Sequence, residues 1–315
     1  MTVPTNTFQV YTQVNIREDL INAIYNVDPY KTPFFNMCKK ASAEQTYHEW
    51  NTDSLAAQDT SNARVEGDDP SNIVVAPTVR LGNYTQISDK TIQISGTSQA
   101  VTAAGNSNKM GYQLLKKSKE LKRDMEGILT KNQAKAAGSS STARNLAGIP
   151  SWLGTNVVFG AGGANPAALT GVNTRTDGTT TALTEAQLKN MLQLVYTNSG
   201  ECPEYGLVSP KNKQNISAFS GPGTRFIQVE DRTLQTAIDV YSSDFGDVKL
   251  VPDIFIRGRD TFWINPAYVR VAYLRPFDTH PLAKTGDSDR KQMLVEYTLE
   301  MGNEKAQGAI FDTTG

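Results

Sequence analysis

The chain is poor in the residue types from which most metal and catalytic sites are built. It has only two cysteines and two histidines in 315 residues. Cys38 and Cys202 lie far apart in the sequence, which argues against a disulfide framework and against a zinc cluster. His48 and His280 stand in unrelated contexts. We therefore expect no metal, no cofactor and no hydrolytic centre, and an enzyme is disfavoured.

Long apolar runs and a strong net charge are also missing. No apolar stretch approaches the ~20 residues that a membrane-spanning helix needs, and the N-terminus lacks the basic opening and apolar core of a secretory signal. We expect a soluble protein made in the cytoplasm, without membrane contact. The net charge of −1 argues against a dedicated nucleic-acid binder, although local basic stripes stay possible. A chain of 315 residues is long enough for two domains or for one domain with large excursions.

Two remaining patterns imitate functional sites. Asp278, His280, Asp287 and Asp289 could resemble a metal site, but they fall in a turn-rich segment without a recognisable ligand spacing. The glycine-rich run at residues 160–163 lacks the Lys-Ser/Thr pair of a phosphate-binding loop. The interpretation we favour is a polar turn in the first case and a flexible loop in the second.

The most informative feature that is present is a long acidic segment. Residues 41–76 contain seven acidic residues and a single arginine, and the stretch 47–70 within them is poor in apolar residues. A compact domain rarely carries a loop of this length without a use for it, so we expect the segment to reach for something outside its own subunit. Its charged contact candidates are Asp53, Asp59, Arg64, Glu66, Asp68 and Asp69.

A basic counterpart follows later in the chain. Residues 109–135 contain eight basic and three acidic residues, and the helical spacing of Met110, Leu114, Leu121 and Met125 predicts a long amphipathic helix at about 108–137. The basic face could receive the acidic segment, or both could be ordinary solvated surfaces, and charge alone leaves the two interpretations equal. The candidate contacts on this face are Lys116, Lys117, Lys119, Lys122 and Arg123.

The remaining patterns predict a mixed α+β fold. Asn15 begins a short helix, Thr184 and Gln187 form a capping box for another, and Ser209-Pro210 begins a third. Residues 276–290 are polar and predict turns between two strands. The predicted strands cover residues 79–95, 205–209, 248–256, 261–264, 269–275, 291–301 and 306–311.

The order of these parts resembles the tailed-bacteriophage major capsid proteins of the Johnson fold, a fold shared with herpesvirus capsid floors and encapsulin shells. Three segments of the sequence resemble one capsid family in particular. They are TPFFNMCKK (32–40), YHEWNTDSLAAQDTSNARVEGDD (47–69) and RNLAGIPSWLGTN (144–156). The resemblance covers essentially the whole chain. It implies an N-terminal arm (1–40), an extended E-loop (41–76), a peripheral domain (77–183 and 265–315) with a spine helix and a long β hairpin, and an axial domain (184–264).

The resemblance also implies a function. The chain would assemble with itself into hexamers and pentamers of an icosahedral shell that encloses double-stranded phage DNA. Portal, scaffolding and cement or minor capsid proteins would be its partners, with nonspecific contact to the packaged DNA. The protein would be located in the virion capsid and assembled in the cytoplasm of the bacterial host. The alternative within the same fold is an encapsulin compartment, which holds cargo proteins.

Some capsids of this fold join subunits covalently through a lysine of the E-loop. Here no lysine occurs between Ala41 and Asp89, so we expect noncovalent contacts or cement proteins to hold the shell. Exposed ion pairs contribute only ~0.2 to 1 kcal/mol each, so apolar anchors must supply much of the affinity. Packing within the subunit is an equally open role for each of the anchor candidates, which are Trp50 and Leu55 in the loop and Phe8, Val10 and Tyr11 in the arm.

Overall fold

The computed structural model describes residues 31–67, 69, 75–101, 108–219 and 239–314. The predicted helix from Asn15 and the contact candidates Phe8 and Tyr11 lie outside the described residues. None of the helices within the described ranges has the length and hydropathy to cross a bilayer. The helices are α1 (Pro33–Met37), α2 (Gly96–Ala100), α3 (Lys109–Thr130), α4 (Glu185–Ser199) and α5 (Pro210–Ser217), with a 3₁₀ turn at Ile149–Ser151.

A four-stranded sheet forms the floor under α3. Its central strands are antiparallel neighbours, and the short first strand pairs in parallel with one of them. Helix α3 lies across this sheet and buries Leu121, Met125 and Leu129 against Val295 and Leu299. The strands, in their order across the sheet, are β1 (Lys39–Ser42), β10 (Val269–Pro281), β11 (Ser288–Met301) and β4 (Gln86–Ser95).

Strands β10 and β11 form a long hairpin, which corrects the prediction that residues 276–290 are mostly turns. The two strands take up most of that range and leave only residues 282–287 between them. Proline cannot donate a ladder hydrogen bond, so Pro276 indicated a break. The strand accommodates Pro276 at a shift of register between Arg275 and Asp278, where an irregularity of the β-bulge type removes the need for that bond.

Helix α3 is shorter than predicted, because it ends at Thr130 rather than near Ala137. Asn108 caps its start by accepting the Gly111 amide at 2.9 Å. At the other end Lys131 is already extended, and the amide of Ala136 donates to the carbonyl of Asn145. No apolar residue continues the buried stripe beyond Leu129, so the polar residues that follow pair with a neighbouring loop instead of extending the helix.

A second sheet of six strands carries the other apolar cluster. Helix α4 covers it with Leu188, Met191, Leu192 and Val195, all buried as their spacing predicts. The predicted capping box of Thr184 with Gln187 is present. The strands in sheet order are β5 (Val157–Val158), β12 (Gly308–Ile310), β9 (Thr261–Ile264), β6 (Tyr205–Val208), β8 (Gly246–Pro252) and β7 (Val240–Ser243).

Two details of this sheet differ from the sequence prediction. The strand predicted to reach Ile256 ends at Pro252, because the Asp253 side chain accepts the Phe255 amide at 2.9 Å and turns the chain. Strands β5 and β12 also belong to the sheet, although both lie outside the range 184–264 that the resemblance assigns to the axial domain. The division into domains therefore stays a prediction, and the second sheet draws on three separate parts of the chain.

A buried ion cluster joins the C-terminal segment at Asp312 to the loop that contains Arg175. Arg175 and Asp312 have fully buried side chains and pair at 2.8 Å, and the Arg175 guanidinium lies 4.1 Å from the centre of the Phe311 ring. Arg259 adds a second contact to Asp312 at 2.7 Å. Bound to two guanidinium groups, Asp312 is held ionised, and they keep its pKa below the usual value despite the burial that would raise it. The Asp177 carboxylate continues the cluster to the surface.

Candidate intersubunit surfaces

The acidic segment is built on a hairpin whose two strands form a sheet of their own, without ladder pairing to either larger sheet. Strand β2 (Tyr47–Thr52) pairs antiparallel with β3 (Val79–Tyr84) from Tyr47 opposite Tyr84 to Thr52 opposite Val79. The chain therefore leaves the first sheet after Ser42, at the end of β1, and returns to it at β4. We call residues 53–78 the tip of this hairpin, of which 53–67, 69 and 75–78 are described.

The base of the hairpin is held tightly by its own subunit. Asn83 is fully buried and bonds in both directions: its amide donates to the Leu299 carbonyl at 2.9 Å and its oxygen accepts the Ala147 amide at 2.8 Å. The Trp50 indole donates to the Met301 carbonyl at 2.9 Å, and its ring lies 5.4 Å from that of Trp152. For Trp50, therefore, the structure shows the intrasubunit packing that the sequence left open.

Charged groups reinforce the same base. The Lys135 ammonium donates to the Gly82 carbonyl at 2.5 Å and to the Tyr47 hydroxyl at 3.0 Å. His48 contacts the Glu300 carboxylate at 3.2 Å. The sequence analysis counted Lys135 among the eight basic residues of 109–135. In the structure its ammonium group has hydrogen-bond partners within its own subunit.

The tip has no comparable support. Every described residue of the tip is exposed, including apolar ones that a compact subunit would bury. Leu55 is 99% exposed and Val75 is 89% exposed, and Val65 is also uncovered. A strand pair that anchors its base so firmly and leaves apolar side chains in water at its end has the character of a binding element.

Within the described part of the tip, two acidic side chains bond to serines one or two residues away. Asp53 accepts the Ser54 amide at 2.8 Å, and Asp59 accepts the amide and the hydroxyl of Ser61. These bonds from Ser61 lower the pKa of Asp59, so its carboxylate is charged at neutral pH. Glu66 and Asp69 are exposed, Arg64 is exposed with a partner of its own, and Asp68 lies outside the described residues.

The basic face of α3 is the second candidate surface. Four residues of the helix are exposed and lie on one side of it, since they are spaced one, three and three residues apart. The Leu115 side chain, 69% exposed, lies among the lysines. We define the basic face by these four residues, which are Leu115, Lys116, Lys119 and Lys122.

The predicted basic contact residues differ in the interactions that they make within their own subunit. Lys117 pairs with Glu120 at 2.6 Å and is only partly exposed. Arg123 lies over the Phe255 ring at 5.8 Å from its centre, and Lys122 lies 6.0 Å from the Phe277 ring while keeping its exposure. Lys116 and Lys119 point into solvent, and Lys119 has an interaction within the chain.

No metal centre is assembled by the part of the chain that the structure describes. Within it, no three His, Cys, Asp or Glu side chains are grouped so that they could hold an ion. Of the four residues that imitate a metal site in the sequence, His280 contacts Asp278 at 3.2 Å and Asp289 pairs with Lys284 at 3.2 Å. These contacts belong to the end of the long β10–β11 hairpin.

The sequence analysis singled out none of the buried ionisable groups, of which Glu126 and Arg175 are two. Glu126 lies in the apolar side of α3, beside Met125 and one turn before Leu129, and is fully buried. Its place next to the buried stripe was the only available signal, and its charge favoured the solvated face instead. Arg175 gave no signal at all, because its partner Asp312 is distant in sequence.

Comparison with known proteins shows the family to which the chain belongs. A family model described as the SU10 major capsid protein matches residues 3–314. The chain belongs to the SU10 major capsid protein family. A major capsid protein is the subunit from which the shell of a phage head is built, so the capsid family that the sequence resembles is confirmed.

Individual relatives agree with the family. The chain is 40% identical over 128 residues to the major capsid protein of Escherichia phage Phieco32, a match that spans 41% of this chain and 36% of the length of that relative. The capsid of cyanophage A-1(L) has the same fold, with a TM-score of 0.64, 13% identity, and coverage of 95% of this chain and 97% of that chain.

An encapsulin also shares the fold, as the resemblance implied. The SrpI encapsulin of Synechococcus elongatus gives a TM-score of 0.54 at 10% identity over 95% of this chain and 92% of that chain. Likeness at this identity shows the fold alone. The family match over residues 3–314 therefore favours a phage capsid over the encapsulin alternative.

Proposed function

We propose that copies of this chain assemble into the icosahedral shell of a phage head, with the acidic tip of each subunit lying on the basic face of α3 in a neighbouring copy. The observation that carries this proposal is the contrast within one hairpin. Its base is fixed by Asn83 and Trp50, whereas its tip exposes Leu55 and several carboxylates that find no burial in their own subunit.

Charge and apolar contact contribute differently to this interface. Exposed ion pairs contribute ~0.2 to 1 kcal/mol each, so the lysines and carboxylates mainly select and orient the partner. Burial of an exposed leucine contributes about 1.5 to 3 kcal/mol. Leu55 on the tip and Leu115 on the basic face are both available for it, and each lies among charges opposite to those around the other.

Many weak contacts of this kind suffice to close a shell. A tip that reaches a different copy makes a head-to-tail interface, which closes into rings when the rotation fits. We propose hexamers and pentamers as those rings, with double-stranded DNA inside the finished shell. Since each subunit both gives and receives a tip, the contacts multiply as effective concentration rises within a ring.

The remaining partners are proposed from the resemblance alone. Portal, scaffolding and cement or minor capsid proteins would complete the particle, and assembly would take place in the bacterial cytoplasm. The lack of a lysine between Ala41 and Asp89 supports a shell without lysine-mediated cross-links from the E-loop, for which cement proteins are a natural reinforcement.

Charge reversal on the basic face tests the central contact. In the triple variant Lys116→Glu, Lys119→Glu, Lys122→Glu, we expect a folded subunit that forms no capsomers, because the tip then meets like charge. Size-exclusion chromatography and negative-stain microscopy measure assembly, and circular dichroism measures folding. The matched control reverses three exposed lysines of the second sheet unit, Lys189, Lys211 and Lys249, and should assemble.

The other outcomes of this experiment are equally informative. Intact empty shells that fill poorly with DNA would assign the basic face to the packaged genome, where phosphate contacts are nonspecific. Assembly and filling at the level of the unaltered protein would contradict both roles for this face.

A further inference from the structure

The buried carboxyl of Glu126 holds α1 against α3. Its Oε1 accepts the Phe34 amide and its Oε2 accepts the Phe35 amide, each at 2.7 Å. Phe34 and Phe35 are themselves buried in the main core. Residues 33–37 lead directly into β1, so this carboxyl fixes the place where the predicted N-terminal arm joins the first sheet.

A second carboxyl meets Glu126 from the other sheet. Asp253 follows β8 and is 1% exposed, and the Phe255 carbonyl two residues later would lie 4.0 Å from a Cβ placed on Gly127, the residue after Glu126. The two carboxyl groups are therefore near enough for each to influence the pKa of the other. Its Oδ1 accepts the Phe255 amide at 2.9 Å. Its Oδ2 is buried and finds no hydrogen-bond donor within the described ranges of the chain.

Two ionised carboxylates cannot satisfy this arrangement. Both oxygens of Glu126 already accept amide protons, and the Asp253 Oδ2 would remain a buried acceptor facing like charge. A single proton between the two groups removes the repulsion and supplies the missing donor. Paired carboxyl groups in a dry site commonly share a proton for this reason.

The other titratable groups nearby do not replace that proton. The Cys38 thiol faces Glu126 from the end of α1, and Tyr273 on β10 faces Cys38 in turn. Burial raises the pKa of both groups, so they are neutral at physiological pH. Of the charged residues just before Glu126 on α3, Arg123 lies over the Phe255 ring and Asp124 pairs with Lys90.

We propose that Glu126 and Asp253 share one proton, and that this proton forms a latch which holds α1, α3 and the segment after β8 together. The latch joins three parts of the chain: the root of the predicted arm, the long helix and the second sheet. It acts within one subunit and does not depend on how the acidic tip binds.

The latch responds to pH in a defined direction. Burial, and then the neighbouring Asp253, raise the pKa of Glu126 to about 8, and burial also raises the pKa of Asp253. A carboxyl whose pKa is higher in the folded chain binds more protons folded than unfolded. Its stabilising contribution is therefore complete below the ordinary carboxyl pKa and declines as pH rises towards 8, where the pair loses its proton.

Infrared spectroscopy of the unaltered full chain tests the shared proton directly. We expect the carbonyl stretch of a protonated carboxylic acid to persist at neutral pH and to disappear as pH is raised past about 8. Hydrogen exchange at the Phe34 and Phe35 amides, corrected for its intrinsic pH dependence, should accelerate over the same interval. Absence of the acid band at neutral pH would overturn the proposal, whatever the variants do.

Variants separate the latch from general effects of charge. In Asp253→Asn the new amide can donate to an ionised Glu126, so the midpoint of thermal unfolding should fall less steeply between about pH 6 and pH 8, above the pKa of about 6 to which burial raises Asp260. Glu126→Gln loses one of the two amide contacts and should unfold at lower temperature throughout. The control Glu120→Gln changes the same residue type on a partly exposed turn of α3 and should keep the pH slope. An unchanged slope in Asp253→Asn would contradict the latch.

Discussion

The tip of the β2–β3 hairpin and the Arg175–Asp312 cluster use charge in opposite ways. In the tip, Asp53 and Asp59 bond only to serines one or two residues away and remain in solvent. In the cluster, Asp312 is buried and bound by two guanidinium groups. The charges of the cluster are paired inside the subunit, whereas the described carboxylates of the tip are exposed to solvent.

The difference separates charges that stabilise the single subunit from charges that stay exposed on it. A buried ion pair loses its hydration and must be matched in the folded chain, so the cluster fixes the C-terminal segment in one position. Exposed carboxylates keep their hydration, so they need no partner within the subunit. Substitutions in the cluster should therefore change the stability of a single subunit, whereas substitutions in the tip should change assembly alone.

The largest expected effect is on the cluster. Arg175→Ala leaves the buried Asp312 with only the partly exposed Arg259, and should lower the free energy of unfolding of the unassembled full chain by about 3 kcal/mol or more. Urea denaturation measures this. The control Arg80→Ala breaks an exposed pair with Glu49 in the hairpin and should cost less than about 1 kcal/mol. Equal losses in the two variants would remove the distinction between the regions.

A smaller effect, and one confined to assembly, is expected in the tip. Leu55→Asp should leave the stability of the isolated subunit within about 0.5 kcal/mol of the original, because the side chain is 99% exposed. It should also raise the concentration needed for shell formation, because each contact loses the roughly 1.5 to 3 kcal/mol that burial of the leucine contributes. Light scattering measures that concentration. The control Val172→Asp changes another exposed apolar residue outside the tip and should assemble normally. A destabilised subunit in Leu55→Asp would show that the tip is packed within its own chain.

The smallest effect concerns the boundary between the two kinds of region. Trp50→Phe removes the indole donor to the Met301 carbonyl and should cost the isolated subunit about 0.5 to 1.5 kcal/mol. Because this loss belongs to the anchored base, thermal unfolding of unassembled protein should detect it. A variant that unfolds like the original but assembles poorly would move Trp50 to the intersubunit surface.

Much of the fold follows from local patterns in the sequence. Periodic apolar residues predicted α4 with its capping box, and alternation predicted the strands in residues 79–95 that the structure shows as β3 and β4. The end of α3 at Thr130 and the extension of β10 past Pro276 were missed. Both depend on pairing with a second segment, the loop at Asn145 for the residues after α3 and strand β11 for the end of β10, and helix periodicity or a single proline does not reveal such pairing.

The candidate surfaces were predictable to a different degree. Charge counting located the acidic tip and the basic face, but it grouped Lys135 with the exposed lysines, although its ammonium is bound to the base of the hairpin. It also counted Glu126 among the three acidic residues of 109–135 without indicating that the side chain is fully buried. Only the fold shows that α1 and Asp253 meet at that position.

Cross-linking from the tip tests the central claim most directly. A photoreactive amino acid at position 55 of the full chain, in shells assembled from mixed isotopically heavy and light subunits, reports by mass spectrometry which peptide the tip touches and whether that peptide belongs to another copy. If the tip lies on the basic face of a neighbouring copy, mixed heavy–light products should join position 55 to peptides from α3, around Leu115 to Lys122. Products confined to one isotope, or consistently joined to a different part of the chain, would contradict this contact.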